Sequence, residues 1–285
     1  MTILEALRQA ASRLREAGVD SPDHDAEVLL RHVLGWTRAK LVADGATPFA
    51  PDRQAAYDAL VDERVRRRPL QHLTGTQWFW KHEFRVTPDV LIPRPETELL
   101  VEAGLDLLAG IPRPRVVDVG TGSGCIALSL AAELPDAEIH ATELSEPAVA
   151  VARDNASRLR LDGRVVFHHG DLLDPVTSLA ASVDLVVSNP PYVSADELTT
   201  LAPEVRDHDP RVALVPPGDP FAIYRRIVPA ASEVLRPGRW LALEIGAGMA
   251  EEVTRAIESG GLSLHRVLPD PAGIPRSVIA LRPIG

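Results

Sequence analysis

The sequence RVVDVGTGSG, residues 115–124, predicts a buried strand that ends in a glycine-rich turn and leads into a helix from Ser123. From Pro114 onward, strands rich in Val, Leu and Ile alternate with helical segments. The predicted strands are RVVDVG, AEIHATE, RVVFHHGD, VDLVVS, RWLALEIG, LSLHRVL and SVIALR. This alternation is typical of a mostly parallel sheet covered by helices on both faces. We therefore predict an α/β domain with a doubly wound sheet of seven strands.

The glycines of this turn let backbone N–H groups approach a ligand at a helix N-terminus. Their spacing differs from the dinucleotide fingerprint Gly-x-Gly-x-x-Gly, because Cys125 or Ala127 stands where that fingerprint needs its third glycine. Asp118 precedes the turn, where a carboxylate suits a cationic ammonium group better than a pyrophosphate. The turn therefore favours a ligand with an ammonium group over a dinucleotide.

Polar residues end four successive predicted strands, namely Asp118, Glu143, Asp171 and Asn189. Open α/β sheets bind ligands in the crevice at the carboxyl ends of their strands, so we expect these four side chains to converge there. Glu143, about twenty residues after the glycine turn, can accept both hydroxyls of a ribose. An acid at such a position can instead cap the next helix, and this alternative stands for Glu143 and Asp171.

The run DLVVSNPPYVS, residues 184–194, predicts a buried strand that ends in a stiff corner. Pro190 and Pro191 form the corner, because proline lacks the ladder N–H and fixes φ at about −65°. Asn189 precedes it, and its side chain can present one acceptor oxygen and two donor hydrogens to the cleft beyond the sheet. A corner needs only the prolines, so Asn189 is a candidate functional residue.

The amino-terminal part of the chain has a different pattern. Residues before about Leu70 carry apolar side chains at three-and-four spacing, which predicts a small helical bundle. The aromatic stretch TQWFWKHEFRV predicts a β-hairpin with its turn at Lys81-His82. We therefore predict three regions: a helical domain at 1–72, a hairpin linker at 73–92, and the α/β domain at 93–285.

The chain has 285 residues and a net charge of −10, which argues against broad binding to a phosphate backbone. The basic run ERVRRRP, residues 63–69, is expected to be the solvated end of a helix. The single cysteine excludes an intrachain disulfide and a cysteine zinc site. No signal peptide or membrane span is predicted, so we expect a cytoplasmic protein.

Several motifs resemble those of known enzymes. The stretches VVDVGTGSGCIA, ATELS and LVVSNPPYVS resemble the class I methyltransferases that depend on S-adenosylmethionine, whose seven-stranded sheet ends in an antiparallel strand. The stretches LIPRPETELLVE, NPPY, VRDHDPRVAL, YRRI and LEIG closely resemble the release factor glutamine methyltransferases, the PrmC/HemK family. This resemblance covers nearly the whole chain. NPPY alone is shared with methyltransferases that act on DNA adenine and other planar nitrogens.

The resemblance implies methyl transfer from S-adenosylmethionine to the side-chain amide of the glutamine in the Gly-Gly-Gln motif of peptide chain release factors, without a metal ion. It implies that Gly120, Thr121, Gly122, Ser123 and Gly124 wrap the methionine part of the cofactor. It further implies cofactor contacts for Asp118 at the amino group, Glu143 at the ribose, Asp171 and Leu172 at the adenine, and Asn189. It implies that the substrate glutamine is received by Asn189, Pro190, Pro191 and Tyr192.

The physical chemistry of an amide agrees with these roles. An amide nitrogen is a poor nucleophile, because its lone pair is delocalised into the carbonyl, so it must be oriented. The Asn189 side-chain oxygen and the Pro190 carbonyl can each accept one amide hydrogen and aim the nitrogen. The Tyr192 ring can stack on the planar amide, although a half-buried aromatic that packs on the sheet is the alternative.

Two other functions stay open. The same corner can hold an exocyclic amine of a nucleobase, and a chain that has lost catalysis can act as a cofactor-binding partner of the translation machinery. We expect a monomer that binds release factors rather than nucleic acid. Two positions depart from the family pattern: Arg239 stands where a second glycine is common, and Met249 lies where a glutamine is often found.

Overall fold

The computed structural model describes residues 1–284, which divide into two compact units. Unit 1 comprises Met1–Thr76 and Leu201–His208, and unit 2 comprises residues 77–200 and the residues from Asp209 onward. The helices are α1 Ile3–Glu16, α2 Pro22–Leu34, α3 Arg38–Asp44, α4 Pro51–Val65, α5 Leu70–Thr74, α6 Glu98–Leu108, α7 Cys125–Glu133, α8 Glu146–Arg158, α9 Ala195–Leu198, α10 Pro203–Arg206, α11 Arg211–Leu214, α12 Ala222–Val234 and α13 Ala250–Ser259. The strands are β1 Thr76–Phe79, β2 His82–Arg85, β3 Arg115–Val119, β4 Glu138–Glu143, β5 Val165–His169, β6 Val183–Ser188, β7 Leu235–Glu244, β8 Ser263–Pro269 and β9 Pro275–Leu281. Short 3-10 helices span Pro95–Thr97 and Asp174–Leu179.

Unit 1 is the predicted helical bundle. Helix α1 begins with a capping box, in which Thr2 and Glu5 bond each other's backbone N–H groups. Apolar side chains from α1, α2 and α4 form its core, including Leu14, Leu29 and Tyr57, all fully buried. The predicted domain boundaries stay a prediction. In the structure the helical unit includes the later segment 201–208, which the sequence analysis did not assign to it.

A partly buried ion network holds this later segment in unit 1. Glu204 of α10 accepts hydrogen bonds from Arg67 Nε at 2.7 Å and Nη2 at 2.8 Å, and from Arg64 Nη1 at 2.8 Å. Arg64 Nε also donates to Asp25 at 2.8 Å. The expectation of a solvated basic helix end is therefore wrong for Arg64 and Arg67, because both guanidinium groups are paired with acids inside the unit.

Strands β1 and β2 form the predicted hairpin, which apart from Thr76 belongs to unit 2, with the turn one residue earlier than expected. Trp80 and Lys81 make the turn, and His82 is the first residue of β2. Trp80 has a φ of 56°, which lets the short turn close. Its backbone N–H donates to Glu98 at 2.7 Å and its indole N–H to Glu133 at 2.9 Å. These bonds fix the turn in a conformation that aromatic residues rarely adopt.

Seven strands form one sheet in the order β5-β4-β3-β6-β7-β9-β8. Strands β3 to β7 are mutually parallel, and β9 pairs antiparallel with both β7 and β8. Adjacent residues of β3 belong to different hydrophobic cores, Val116 to one and Val117 to the other, so helices cover both faces. The predicted seven-stranded, mostly parallel, doubly wound sheet is confirmed, and its last strand in the chain is antiparallel.

The strand order reverses between β3 and β6, which makes the boundary between them the switch point of the sheet. The register pairs Val119 at the end of β3 with Thr142 of β4 and with Ser188 of β6. The carboxyl ends of the three strands are therefore level. Helices leave such a point toward opposite faces, so a crevice opens beyond it. Among residues 1–284, no helix combines the length and the apolar composition that a bilayer crossing requires.

The two departures from the family pattern are accommodated locally. Arg239 Nε contacts Asp184 Oδ1 at 3.0 Å, and Arg236 Nη1 contacts the same oxygen at 3.1 Å. Asp184 is fully buried in β6, so the arginines neutralise a carboxylate that would otherwise lie unpaired between strands. Met249 is buried and packs against Gly246, just before α13. Neither position disturbs the parallel strands.

Candidate active site

A pocket of about 290 Å³ opens at the switch point of the sheet, beyond the carboxyl ends of β3, β4, β5 and β6. The structure brings ten of the predicted site residues together on its wall. They are Gly120, Thr121, Gly122, Ser123, Glu143, Asp171, Leu172, Asn189, Pro190 and Pro191. The remaining three, Asp118, Gly124 and Tyr192, are not among the lining residues of this pocket.

The glycine-rich turn is held in place by β4. The N–H groups of Gly120 and Thr121 both donate to the Thr142 carbonyl, at 2.9 and 3.0 Å. Gly122 has a φ of 55°, and no atom lies within 4 Å of the place where a Cβ would stand. Gly124 instead packs on α7 and α8, since a Cβ there would lie 2.9 Å from Leu128. The turn therefore leaves open space at Gly122 and is close-packed at Gly124.

Glu143 is fixed at the end of β4 by two backbone N–H groups. Its Oε2 accepts from Gly122 at 2.9 Å and its Oε1 accepts from Ser145 at 2.9 Å. The side chain of Ser145, which accepts from Ala148, caps α8. Glu143 thus links the glycine turn to β4 and still lines the pocket, so the capping alternative does not account for its position.

Asp171 follows β5 and forms an ion pair with Arg226 of α12, with an N–O distance of 2.6 Å. Both residues line the pocket. Leu172, the next residue, has a φ of 47°, in the left-handed region that a leucine rarely adopts. Its strained backbone indicates that the position of this side chain on the pocket wall is set by the surrounding structure.

Asp118 lies behind the glycine turn and is not among the lining residues of the pocket, so its contact with an ammonium group stays a prediction. It is fully buried, and its Oδ2 accepts from the Thr121 hydroxyl at 2.6 Å and the Ala127 N–H at 3.2 Å. Burial raises the pKa of Asp118 to about 7, against the lowering effect of those two hydrogen bonds. Both bonds tie the turn to the start of α7, so the carboxyl group shapes the turn.

The Asn189 side chain belongs to a short chain of buried hydrogen bonds. Asn189 Nδ2 donates to Thr97 Oγ1 at 3.1 Å, and the Thr97 hydroxyl donates to Glu244 Oε2 at 2.6 Å. Tyr192 approaches the other oxygen of Glu244 at 3.5 Å. Glu244 is only 3% exposed, and burial raises its pKa to about 7. Tyr192 therefore lies beside this buried acid rather than on the pocket wall.

Sequence reasoning missed Glu244 as a functional residue, although a signal was present. Glu244 ends the strand RWLALEIG, and the rule that selected Glu143 applies to it equally. Asp209 was missed as well; it pairs with Arg94 at an N–O distance of 2.5 Å. Burial raises the pKa of Asp209 to about 6 despite this arginine, which itself lines the pocket. Both acids lie in motifs that the sequence analysis had used only for their resemblance.

The sheet order and the pocket at its switch point are those of a Rossmann-like methyltransferase. The hMettl16 catalytic domain, solved in complex with the MAT2A 3'UTR hairpin 6, has this fold with a TM-score of 0.58 at 17% identity, covering 71% of this chain and 76% of that one. A methyltransferase from Pyrococcus furiosus aligns with a TM-score of 0.50 at 18% identity, covering 70% of this chain and 89% of that one. A family model of the methyltransferase small domain matches residues 96–232, and one of the PrmC N-terminal domain matches residues 5–75.

Full-length relatives narrow the class to one family. A release factor glutamine methyltransferase of Cereibacter sphaeroides is 43% identical over 99% of both chains. Those of Moorella thermoacetica and Geobacter sulfurreducens are each 42% identical, the first over 99% of both chains and the second over 97% of this chain and 95% of its own. The chain belongs to the release factor glutamine methyltransferase family.

Proposed function

We propose that the protein transfers a methyl group from S-adenosylmethionine to the side-chain amide nitrogen of the glutamine in the Gly-Gly-Gln motif of peptide chain release factors. The observation that carries this proposal is the single pocket in which the glycine-rich turn and the Asn189-Pro190 corner both lie. Family membership supports the same activity. We expect the enzyme to work as a cytoplasmic monomer.

The chain offers groups that fit S-adenosylmethionine, which when bound supplies an electrophilic methyl group on a sulfonium sulfur. The open space at Gly122 leaves room for the methionine part against the turn. Two N–H groups orient the Glu143 carboxylate, and we expect it to accept the ribose hydroxyls. Asp171 and Leu172 border the adenine. We expect Asp118 to favour the ammonium group of the cofactor from its buried position behind the turn.

The Asn189-Pro190 corner orients the substrate amide. The Asn189 Oδ1 atom and the Pro190 carbonyl each accept one N–H of the glutamine, which turns the nitrogen lone pair toward the methyl group. Pro190 and Pro191 have no N–H groups and stiffen the corner. We expect Tyr192 to support the corner from its position beside Glu244. The reaction needs no metal ion and no covalent intermediate with the protein.

A nucleobase as substrate is less consistent with unit 1. Nucleic-acid binding requires unpaired cations that neutralise phosphates. In the basic run, Arg64 and Arg67 bind Glu204, and Arg66 and Arg68 contact Glu63 at 2.5 and 3.4 Å. We propose that the helical residues 1–72 supply docking area for the protein substrate instead.

Mass spectrometry of a purified release factor tests the function. The release factor is incubated with the protein and isotope-labelled S-adenosylmethionine, digested and sequenced. We expect one added methyl group on the Gly-Gly-Gln glutamine, and none on a release factor in which that glutamine is replaced by alanine. Labelling of an adenine-containing oligonucleotide, with an unmodified release factor, would instead support the nucleobase alternative.

A further inference from the structure

The hydrogen-bond chain from Asn189 through Thr97 to Glu244 lies entirely within unit 2. Thr97 comes from the 3-10 helix before α6, and Glu244 ends β7, so two elements that are far apart in sequence meet behind Asn189. Thr97 is 2% exposed and Glu244 3% exposed, so water does not compete for these bonds. Asn189 and Thr97 both line the pocket, and Glu244 does not. These hydrogen bonds therefore connect the pocket to a buried carboxyl group.

The hydrogen bonds of this chain have a definite direction. An ionised carboxylate only accepts hydrogen bonds, so the single hydroxyl hydrogen of Thr97 must point at Glu244, 2.6 Å away. Thr97 Oγ1 then has only lone pairs to offer Asn189, and the atom of Asn189 that faces it must be the NH₂ group. The carbonyl end of Asn189 is left for the pocket, and within residues 1–284 no donor contacts it.

We propose that Thr97 and Glu244 are positioning residues that fix which end of the Asn189 side-chain amide faces the substrate. The two ends of an asparagine amide are nearly equal in shape. Without Thr97 and Glu244, a rotation of the amide would present its NH₂ group to the N–H groups of the substrate glutamine. Two donors cannot bond each other, so the rotated side chain cannot hold the substrate. The inference rests on the proposed function, because it assumes that the substrate is a glutamine amide, whose N–H groups need a hydrogen-bond acceptor on Asn189.

Thr97→Val tests the inference, because it keeps the shape of the side chain and removes the hydroxyl group. We expect kcat with release factor to fall by about tenfold or more, as for other losses of preorganised polar groups. The KM for release factor and the Kd of S-adenosylhomocysteine, measured by calorimetry, should stay within about twofold. Thr97→Ser restores the hydroxyl group and should restore kcat.

Ser277→Ala is the matched control. Ser277 lies opposite Glu244 in the β7–β9 ladder, is fully buried, and its hydroxyl has no hydrogen-bond partner within residues 1–284. Loss of this buried hydroxyl should leave kcat unchanged. Glu244→Met removes the acceptor of the Thr97 hydroxyl and should also lower kcat without changing KM. It replaces Thr97→Val in the test if circular dichroism shows that Thr97→Val is unfolded.

A double-mutant cycle shows whether Thr97 acts through Asn189. If it does, Thr97→Val should cause no further loss of turnover once Asn189 is alanine. An additive loss, or a folded Thr97→Val or Glu244→Met protein with the wild-type kcat, overturns the inference and leaves the proposed function intact. A wild-type protein that fails to methylate the glutamine overturns the proposed function, which is a different result in the same assay.

Discussion

Asn189 is the residue on which the proposed chemistry depends most directly. Asn189→Ala removes an acceptor that orients the substrate amide and leaves the glycine turn in place. We expect turnover to fall by about 100-fold or more, because a preorganised polar group that acts on the transition state is lost. Steady-state kinetics, calorimetry with S-adenosylhomocysteine and a melting curve measure the three relevant quantities on one sample. A folded variant with wild-type turnover would remove Asn189 from the site.

We expect Glu244 to give the enzyme a pH dependence at the scale of one residue. Burial and, to a smaller extent, Glu96 raise its pKa, while Thr97, Arg276 and Tyr192 lower it, with a result of about 7. Below that pH the protonated acid can donate to Thr97, which frees the Thr97 hydroxyl hydrogen for the wrong end of Asn189. We expect wild-type kcat to rise with pH through about 7. Glu244→Gln keeps an acceptor and does not titrate, so the ratio of its kcat to that of the wild type should fall as pH rises from 6 to 8.

The same substitution has a stability signature that is independent of activity. A carboxyl group whose pKa is raised by folding contributes stability that is fully present below about pH 4.5 and is lost as pH rises through about 7. Glu244→Gln removes this penalty at high pH. Its melting temperature relative to the wild type should therefore be higher at pH 8 than at pH 5. An equal difference at both pH values would show that Glu244 does not titrate in this range.

At the scale of elements, the glycine turn depends on Glu143 for its own conformation as well as for a ligand. Glu143→Ala removes the proposed ribose acceptor and the acceptor of the Gly122 N–H. We expect S-adenosylmethionine binding to weaken by about 1.5–3 kcal/mol, the scale of hydrogen bonds to charged groups. Isothermal titration calorimetry measures the affinity for S-adenosylmethionine. Glu146→Ala, an exposed acid three residues further on, is the control and should leave the affinity unchanged.

Elements differ in how far the sequence could predict them. The strand that ends in Asn189 and the strand that ends in Glu143 were found because apolar runs and the carboxyl-end rule are local signals. The Thr97–Glu244 bond was not found, since it joins residues 147 positions apart and depends on how β7 lies beside α6. The orientation of the Asp118 side chain was not predicted, because it follows from bonds to Thr121 and Ala127.

At the scale of the whole molecule, Glu204 contributes to the stability of the helical unit. Burial raises the pKa of Glu204, but the hydrogen bonds from Arg67 and Arg64 outweigh it and lower the pKa to about 2. Its stabilising contribution is therefore present above about pH 4.5 and is lost as pH falls toward 2. We expect Glu204→Gln to lower the free energy of unfolding at pH 7 by about 1–3 kcal/mol. Urea titration followed by circular dichroism measures this change.

Glu63→Gln is the control for this prediction, because Glu63 forms more exposed ion pairs with Arg66 and Arg68. Pairs of this kind contribute at most about 1 kcal/mol. Amide hydrogen exchange adds a local measurement: in Glu204→Gln, residues 201–208 should lose protection, while α1 and α2 should keep theirs. Unchanged exchange across residues 201–208 would show that Glu204 does not hold this segment.

The inclusion of residues 201–208 in the helical unit also sets the order in which the chain can finish folding. A ribosome releases residues 1–76 first, and Arg64 and Arg67 then have no Glu204 until residues 77–200 have also been synthesised. Closing so long a loop carries an entropic cost that the local helices do not pay. The helical unit can therefore be completed only after residues 201–208 are made, although its first 76 residues are made first. For the same reason, a chain shortened by removal of its first 76 residues would expose a segment whose partners it no longer contains.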